Sequence, residues 1–557
     1  MRKIFLSSAL FFILTSFLFS QQKEVKNIII MIPDGTSSTV LSLARWYQNG
    51  ELHAIDPHLC GYVRTHSSDA PIGDSAPTGS TYATGYLSQT GYVSTFPPKT
   101  ENDLVEVDQN RELQPLFTIL EAAKMQNKAT GLVFTCYLPH ATPAAFSAHY
   151  PKRGAYDLLA KQMVFNRIDF VAGGGYDYLR NRSDSVDLTK ILTQNRYTYT
   201  ESKDEFMNFR GDKMWALFTP QALANDIDRD RDKEPSLAEM TQKSIEVLSK
   251  NRNGFFLMVE GSKVDWSAHD NDPVGVITEF LAFDKAVEVA LDFAKNDGNT
   301  AVIVVPDHGN GGIAFGGPRT NSGYDRKTHS ELFDNLRNAK RTAEYFGNVI
   351  KEKPTKEEVK NFFTKYYGID NLTESEINSV QGYYDYEKRY KAGEIKENPL
   401  NIRRTVAQIL TNRSPVGWTT TGHTGEDVFL AVYHPQNYRP MGLVQNSDVN
   451  KYMQEIFGIE SLDFYTEKYY APASEVFKGM EMKIDSINPH EPVLVVKHKK
   501  MELHIPAHKN EAWLIVKPKK NREIINLQTP AVQNKRDFFV PRDLGELMKM
   551  KNFKKIK

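Results

Sequence analysis

Cysteine is almost absent: the 557 residues include two, Cys60 and Cys136. Two thiols make no disulfide framework, so the chain must fold on its apolar core. We read them as two buried thiols near the functional site rather than as a bridge. Excess charge of either sign is also missing, with 69 Lys+Arg against 69 Asp+Glu. A balanced chain has no global basic field for nucleic acid, and no acidic excess of the kind that prevents folding. Past residue 20 no apolar run is long enough to cross a bilayer. Internal repeats and low-complexity tracts are absent as well. What is present is length enough for two or more domains with a large core. An aromatic content of 11% fits a packed globular protein.

The N-terminus differs from the rest. Arg2 and Lys3 precede a mostly apolar run from Ile4 to Phe19, then Ser20 and the polar Gln21-Gln22-Lys23. A basic start, an apolar centre and a small residue at the cut predict a secretory signal peptide over residues 1–20. A membrane anchor is the alternative, but the run is near the lower limit for a span. The expected address is periplasmic or secreted, with no membrane-spanning segment after cleavage.

The stretch Gly73-Asp74-Ser75-Ala76-Pro77-Thr78-Gly79-Ser80-Thr81-Tyr82-Ala83-Thr84-Gly85 organises the chain. Pro77 suits the first turn of a helix and Gly85 its end. Ser75 is thereby predicted where a loop enters a helix, beside free backbone N–H groups that can hold an anion. A serine is a weak nucleophile until a base or a metal activates it. The plain alternative is an N-cap serine.

Several apolar runs end in acids or histidines. Val25–Ile32 leads into Pro33-Asp34-Gly35, Gly254–Val259 into Glu260-Gly261, and Thr300–Val305 into Pro306-Asp307-His308-Gly309. Unbroken apolar runs mark buried parallel strands, and ligands of such sheets sit beyond the carboxyl ends of the strands. Asp265 and His269 are four apart, so a helical turn puts them on one face, where they can bind one ion. Leu138–Ala145 is a shaped loop carrying His140 and Thr142, with Arg153 a short way beyond as a bidentate partner for phosphate. His423 lies in a glycine-flanked polar loop before the strand Val428–Tyr433. Three histidines and several carboxylates on one rim make a metal site, since a Ser-His-Asp triad needs one acid and one base. Two zinc ions about 4 Å apart would account for that many ligands.

Residues 180–250 read as polar and helical. Residues 326–413 are rich in charge and tyrosine, a helical insertion that is either a crown over the site or a solvated excursion. After residue 460 short strand-like segments predict a small β-rich module with one basic face, over 461–557. The expected fold class is α/β, a three-layer α/β/α sandwich on a largely parallel sheet, with the catalytic domain at 21–460.

The motifs Asp74-Ser75-Ala76 with the helix to Ala83-Thr84-Gly85, Val259-Glu260-Gly261 with Asp265 and His269, Asp307-His308, and Gly422-His423-Thr424-Gly425-Glu426-Asp427 together resemble the alkaline phosphatases. The resemblance spans about residues 25–315 and 415–458. It implies that Asp265, His269 and His423 hold one zinc, and that Asp34, Asp307 and His308 hold a second that also binds Ser75. Thr142 and Glu260, with Asp34, would complete a third site for magnesium. Arg153 would grip phosphate and Ser75 would form a phosphoserine. The substrates would be small phosphate monoesters, and several relatives are homodimers. Two positions depart from the enterobacterial pattern: His140 replaces an aspartate and Trp266 a lysine, so altered affinity for the third metal is expected. A phosphodiesterase or sulfatase of the same superfamily is the alternative. Sulfatases require an arginine where Gly79 stands, and phosphodiesterases usually use threonine as nucleophile and lack the arginine matched by Arg153.

Overall fold

The computed structural model describes residues 23–398, 401–516 and 522–550, so the expected signal peptide lies outside the described residues. A ten-stranded sheet forms the centre. In chain order its strands are β1 (Asn27–Pro33), β2 (Leu59–Arg64), β3 (Ala129–Tyr137), β4 (Phe170–Gly174), β5 (Thr198–Thr200), β6 (Met214–Leu217), β7 (Phe255–Gly261), β8 (Thr300–Val304), β9 (Val428–Tyr433) and β10 (Gly442–Gln445). Across the sheet they run β10-β2-β9-β8-β1-β7-β3-β4-β6-β5. All neighbours pair in parallel except β9, which is antiparallel to both β2 and β8. The apolar run of β1 is unbroken because both sheet faces are covered. Ile29 and Met31 enter one core, while Ile28, Ile30 and Ile32 enter the other.

Residues 180–250 are not wholly helical. The short strands β5 and β6 lie within them and complete one edge of the sheet. Strands of three and four residues give too little period to be distinguished from helix by sequence.

The insertion is not a solvated excursion. Its five helices, from His329–Arg337 to Ile402–Thr411, send Phe333, Phe346, Phe363, Val380 and Val406 into the core that holds Ile29. The C-terminal module is a seven-stranded sheet with its own core of Val496, Leu503, Ile505, Leu514 and Phe538. Its strands Arg522–Asn534 and Asp537–Val540 have no clear alternating pattern in the sequence. Among the described residues no helix is long and apolar enough to cross a membrane.

Candidate active site

The helix Ser75–Thr84 is buried along its whole length. Its small residues allow this, and its hydroxyls bond back to their own helix: Thr78 to the Asp74 carbonyl, Ser80 to Ala76, Thr81 to Pro77 and Thr84 to Ser80. No buried hydroxyl of that group is left costly. The helix closes on Gly85, which takes a left-handed φ of 81°. Asp74, not Ser75, is the N-cap residue, so the serine begins the helix itself. Its Oγ lies 3.3 Å from Nε2 of His308 and 3.5 Å from Oδ1 of Asp34.

Register builds the rest of the rim. Pro33 pairs with Gly261 at the carboxyl ends of β1 and β7, and Met31 with Val304 of β8. Asp34, Glu260 and Asp307 therefore emerge side by side. Ligand atoms of Asp34, Asp307 and His308 fall within 4.8 Å of one another, as do those of Asp265, His269 and His423. A two-residue bridge pairs His423 with Asn310 and brings the distant loop to the rim. Each imidazole is aimed by a backbone carbonyl at Nδ1: Gly309 for His308, Thr421 for His269 and Gly73 for His423. That leaves Nε2 free for an ion, the usual outer arrangement around metal-binding histidines. The amide of Asn310 holds Oδ1 of Asp265 at 2.7 Å. Gly35 must be glycine: φ is +62°, and a Cβ there would sit 2.8 Å from Cα of Asp265.

The charges are out of balance. Burial pushes Asp34 well above the usual carboxylate range, helped by Asp307, Asp265 and Glu260. Burial also raises Asp307. It takes Glu260 up to about 7, with Asp307 adding and hydrogen bonds from Cys136 and Ser262 opposing. Asp265 is lowered despite its burial, because His269, His308 and His423 surround it. Burial and the neighbouring His308 bring His423 down to about 4. Asp34 Oδ2, Asp307 Oδ2, Glu260 Oε1 and Thr142 Oγ1 are buried with no hydrogen-bond partner. Buried carboxylates of this kind need a cation, and the mixed nitrogen and oxygen donors fit divalent metals.

A family model described as alkaline phosphatase matches residues 25–459. The chain belongs to the alkaline phosphatase family. It is 35% identical over 441 residues to alkaline phosphatase 4 of Bacillus subtilis (strain 168), covering 76% of this chain and 87% of that one. The repressible alkaline phosphatase of Saccharomyces cerevisiae is 29% identical over 460 residues, covering 74% and 77%. Among solved structures, the Thermus thermophilus alkaline phosphatase superposes with a TM-score of 0.68 at 26% identity, over 79% of this chain and 92% of that one. A cold-active alkaline phosphatase from a psychrophilic Shewanella species gives 0.64 at 26% identity, over 77% and 99%.

The pairing of Asp74 with Arg153 was not legible in the sequence of this alkaline phosphatase. Asp74 pairs with Arg153, whose Nη1 donates to the carboxylate beside the serine. His140 is buried at the start of the helix Ala141–Ala145, which carries Thr142. Its ring stands edge-on to Tyr137 and Trp266, and its Nε2 lies 3.4 Å from Nη2 of Arg153. The two cysteines are unpaired. Cys136 is buried, with Sγ 3.3 Å from Oε2 of Glu260. Cys60 corrects the expectation of two buried thiols near the site: it is half-buried on β2 and bonds the Leu430 carbonyl of β9. Lys263, on the helix that carries Asp265 and His269, reaches Glu344 of the insertion at 3.0 Å.

Proposed function

We propose that this alkaline phosphatase hydrolyses small phosphate monoesters to alcohol and phosphate through a phosphoserine on Ser75. The observation that carries the reading is the position of the Ser75 hydroxyl. It stands at a helix start, against Asp34 and His308 of one ligand set, and follows Asp74, the partner of Arg153. Asp265, His269 and His423 would hold one zinc ion, and Asp34, Asp307 and His308 a second. Glu260 and Thr142 belong to a third divalent site, for which the resemblance implies magnesium. When bound, such ions lower the pKa of the serine hydroxyl and of water, and stabilise the leaving oxygen.

The chain's own groups do the positioning. Ser75 Oγ attacks phosphorus in line and takes the phosphoryl group from the alcohol oxygen. The guanidinium of Arg153 donates to the phosphoryl oxygens as a fork. Backbone N–H groups of the first helical turn, which have no partner inside the helix, face the same charge. Water then displaces Ser75 Oγ from phosphorus and releases phosphate. Because the transferred group is loosely bonded at its transition state, holding and charge supply most of the rate.

We take residues 21–460 as the catalytic domain and 461–557 as an added module. Export of the chain, with removal of residues 1–20, is read by N-terminal sequencing of the mature protein. Light scattering reads whether it forms a homodimer.

The test is hydrolysis of a chromogenic phosphate monoester beside the matching diester and sulfate ester, with and without zinc and magnesium. Wild type should turn over the monoester far faster. Ser75→Ala should lose at least about a thousandfold in kcat while keeping its metal content. A preference for the diester or the sulfate would overturn the substrate assignment. Retained turnover in Ser75→Ala would overturn the nucleophile.

A further inference from the structure

Cys136 is a nucleophilic group at the rim that the phosphatase reading does not use. Strand periodicity explains where it stands. Phe134 pairs with Glu260 across β3 and β7. Phe134 and Cys136 point to one face of β3, and Met258 and Glu260 to the same face of β7. The thiol thus comes to the third divalent position by register.

Ligand atoms of Cys136, His140 and Glu260 lie within 4.8 Å of one another, and all three residues are buried. From this we infer that the third cation site contains a thiolate, and that it selects zinc or cobalt over magnesium. The inference rests on the reading of this pocket as a metal position.

The donor chemistry argues for it. Magnesium takes oxygen ligands in a near-octahedral shell and keeps several waters. Here, beside the oxygens of Glu260, Thr142 and Asp34, the pocket offers a sulfur and an imidazole nitrogen, donors suited to softer ions. The spacing agrees. A sulfur and an oxygen on one tetrahedral zinc stand about 3.5 Å apart, given the usual bond lengths. Sγ of Cys136 and Oε2 of Glu260 stand at 3.3 Å. Tyr137 and Trp266 hold the His140 ring edge-on. Its contact with Arg153 is long, and that guanidinium has Asp74 as its closer partner. Metal binding replaces the Sγ–H bond with a sulfur–metal bond and releases one proton to solvent.

The test uses the full chain in a Cys60→Ser background, so that Cys136 is the sole thiol. The protein is equilibrated with zinc and magnesium together and freed of excess ions. Zinc X-ray absorption should then show a sulfur neighbour at about 2.3 Å. The cobalt-loaded form should show thiolate-to-cobalt charge transfer in the near ultraviolet. Adding Cys136→Ser should remove both signals, and one zinc per chain should give way to magnesium. Should Cys136→Ser fail to fold, the two signatures in its Cys136-containing parent decide alone. A metal-loaded protein with no sulfur scattering and no charge-transfer band would overturn the inference and leave the phosphatase reading intact. A protein that binds no metal would overturn both.

Discussion

Arg153 is tied to Asp74, the residue immediately before Ser75. The pair is partly buried, and each charge acts on the other's protonation. For Asp74, burial works against ionisation, but Arg153 holds the carboxyl below its usual range. The guanidinium is therefore fixed in direction before any phosphate arrives.

Asp74→Ala should loosen Arg153 without touching the ligand atoms. We expect KM for a monoester, and the inhibition constant of inorganic phosphate, to rise about three- to tenfold, the scale of one positioned charge-assisted bond. Steady-state kinetics with phosphate as inhibitor measures both. Unchanged constants would show that Arg153 needs no tether.

Gly35→Ala places a methyl group against Asp265 in a backbone conformation that disfavours any side chain. The variant should lose on the order of 2 kcal/mol or more of stability. Metal should be lost from the Asp265, His269 and His423 set. Metal analysis and thermal melting report the two effects separately.

Glu260 has a raised pKa in the folded chain, about 7, with burial as the largest cause. Its sign follows from linkage. The stabilising contribution of the neutral carboxyl is complete below its unfolded value and is lost as the pH rises through the folded one. Glutamine mimics the neutral form. In chelated protein, Tm of Glu260→Gln should match wild type near pH 4, pull ahead as the pH rises from the unfolded value to about 7, and hold a constant lead above that. With metals bound the order should reverse, since the carboxylate is then wanted. A difference that does not vary with pH would exclude this account.

Lys263 is fully buried, and its ammonium is held by Glu344 and the carbonyl of Leu223. Removing Glu344 leaves a buried cation short of its partner, at a cost of about 3 kcal/mol. Glu344→Ala should lower the denaturation midpoint accordingly, and Lys263→Met added to it should recover most of the loss. Failure of the second change to rescue would mean that Glu344 acts through Arg403 and the insertion helices instead, since Arg403 also lies 3.7 Å from Glu344.

Much of this site is readable along the chain, because local rules set it. Asp34, Glu260 and Asp307 each follow an apolar run, and a strand covered on both faces must be apolar throughout until it ends. Asp265 and His269 share a face because a helix repeats every 3.6 residues. The glycine and proline at the ends of the Ser75 helix fix its limits. In contrast, Val428–Tyr433 reads as a buried strand but carries no mark of its antiparallel direction, since burial alone shapes its composition.

By itself the sequence determined which segments are buried, where each ends, and which acids and imidazoles those ends carry. Only the tertiary structure decided that β1 lies between β7 and β8, and so that Gly35 meets Asp307 across 272 residues of chain. It also decided that Asp74 faces Arg153 and that the Cys136 thiol rests on Glu260. The reason is physical. Periodicity and turn chemistry act over a few residues, whereas strand order and the pairing of distant side chains are set by packing two apolar cores around one sheet.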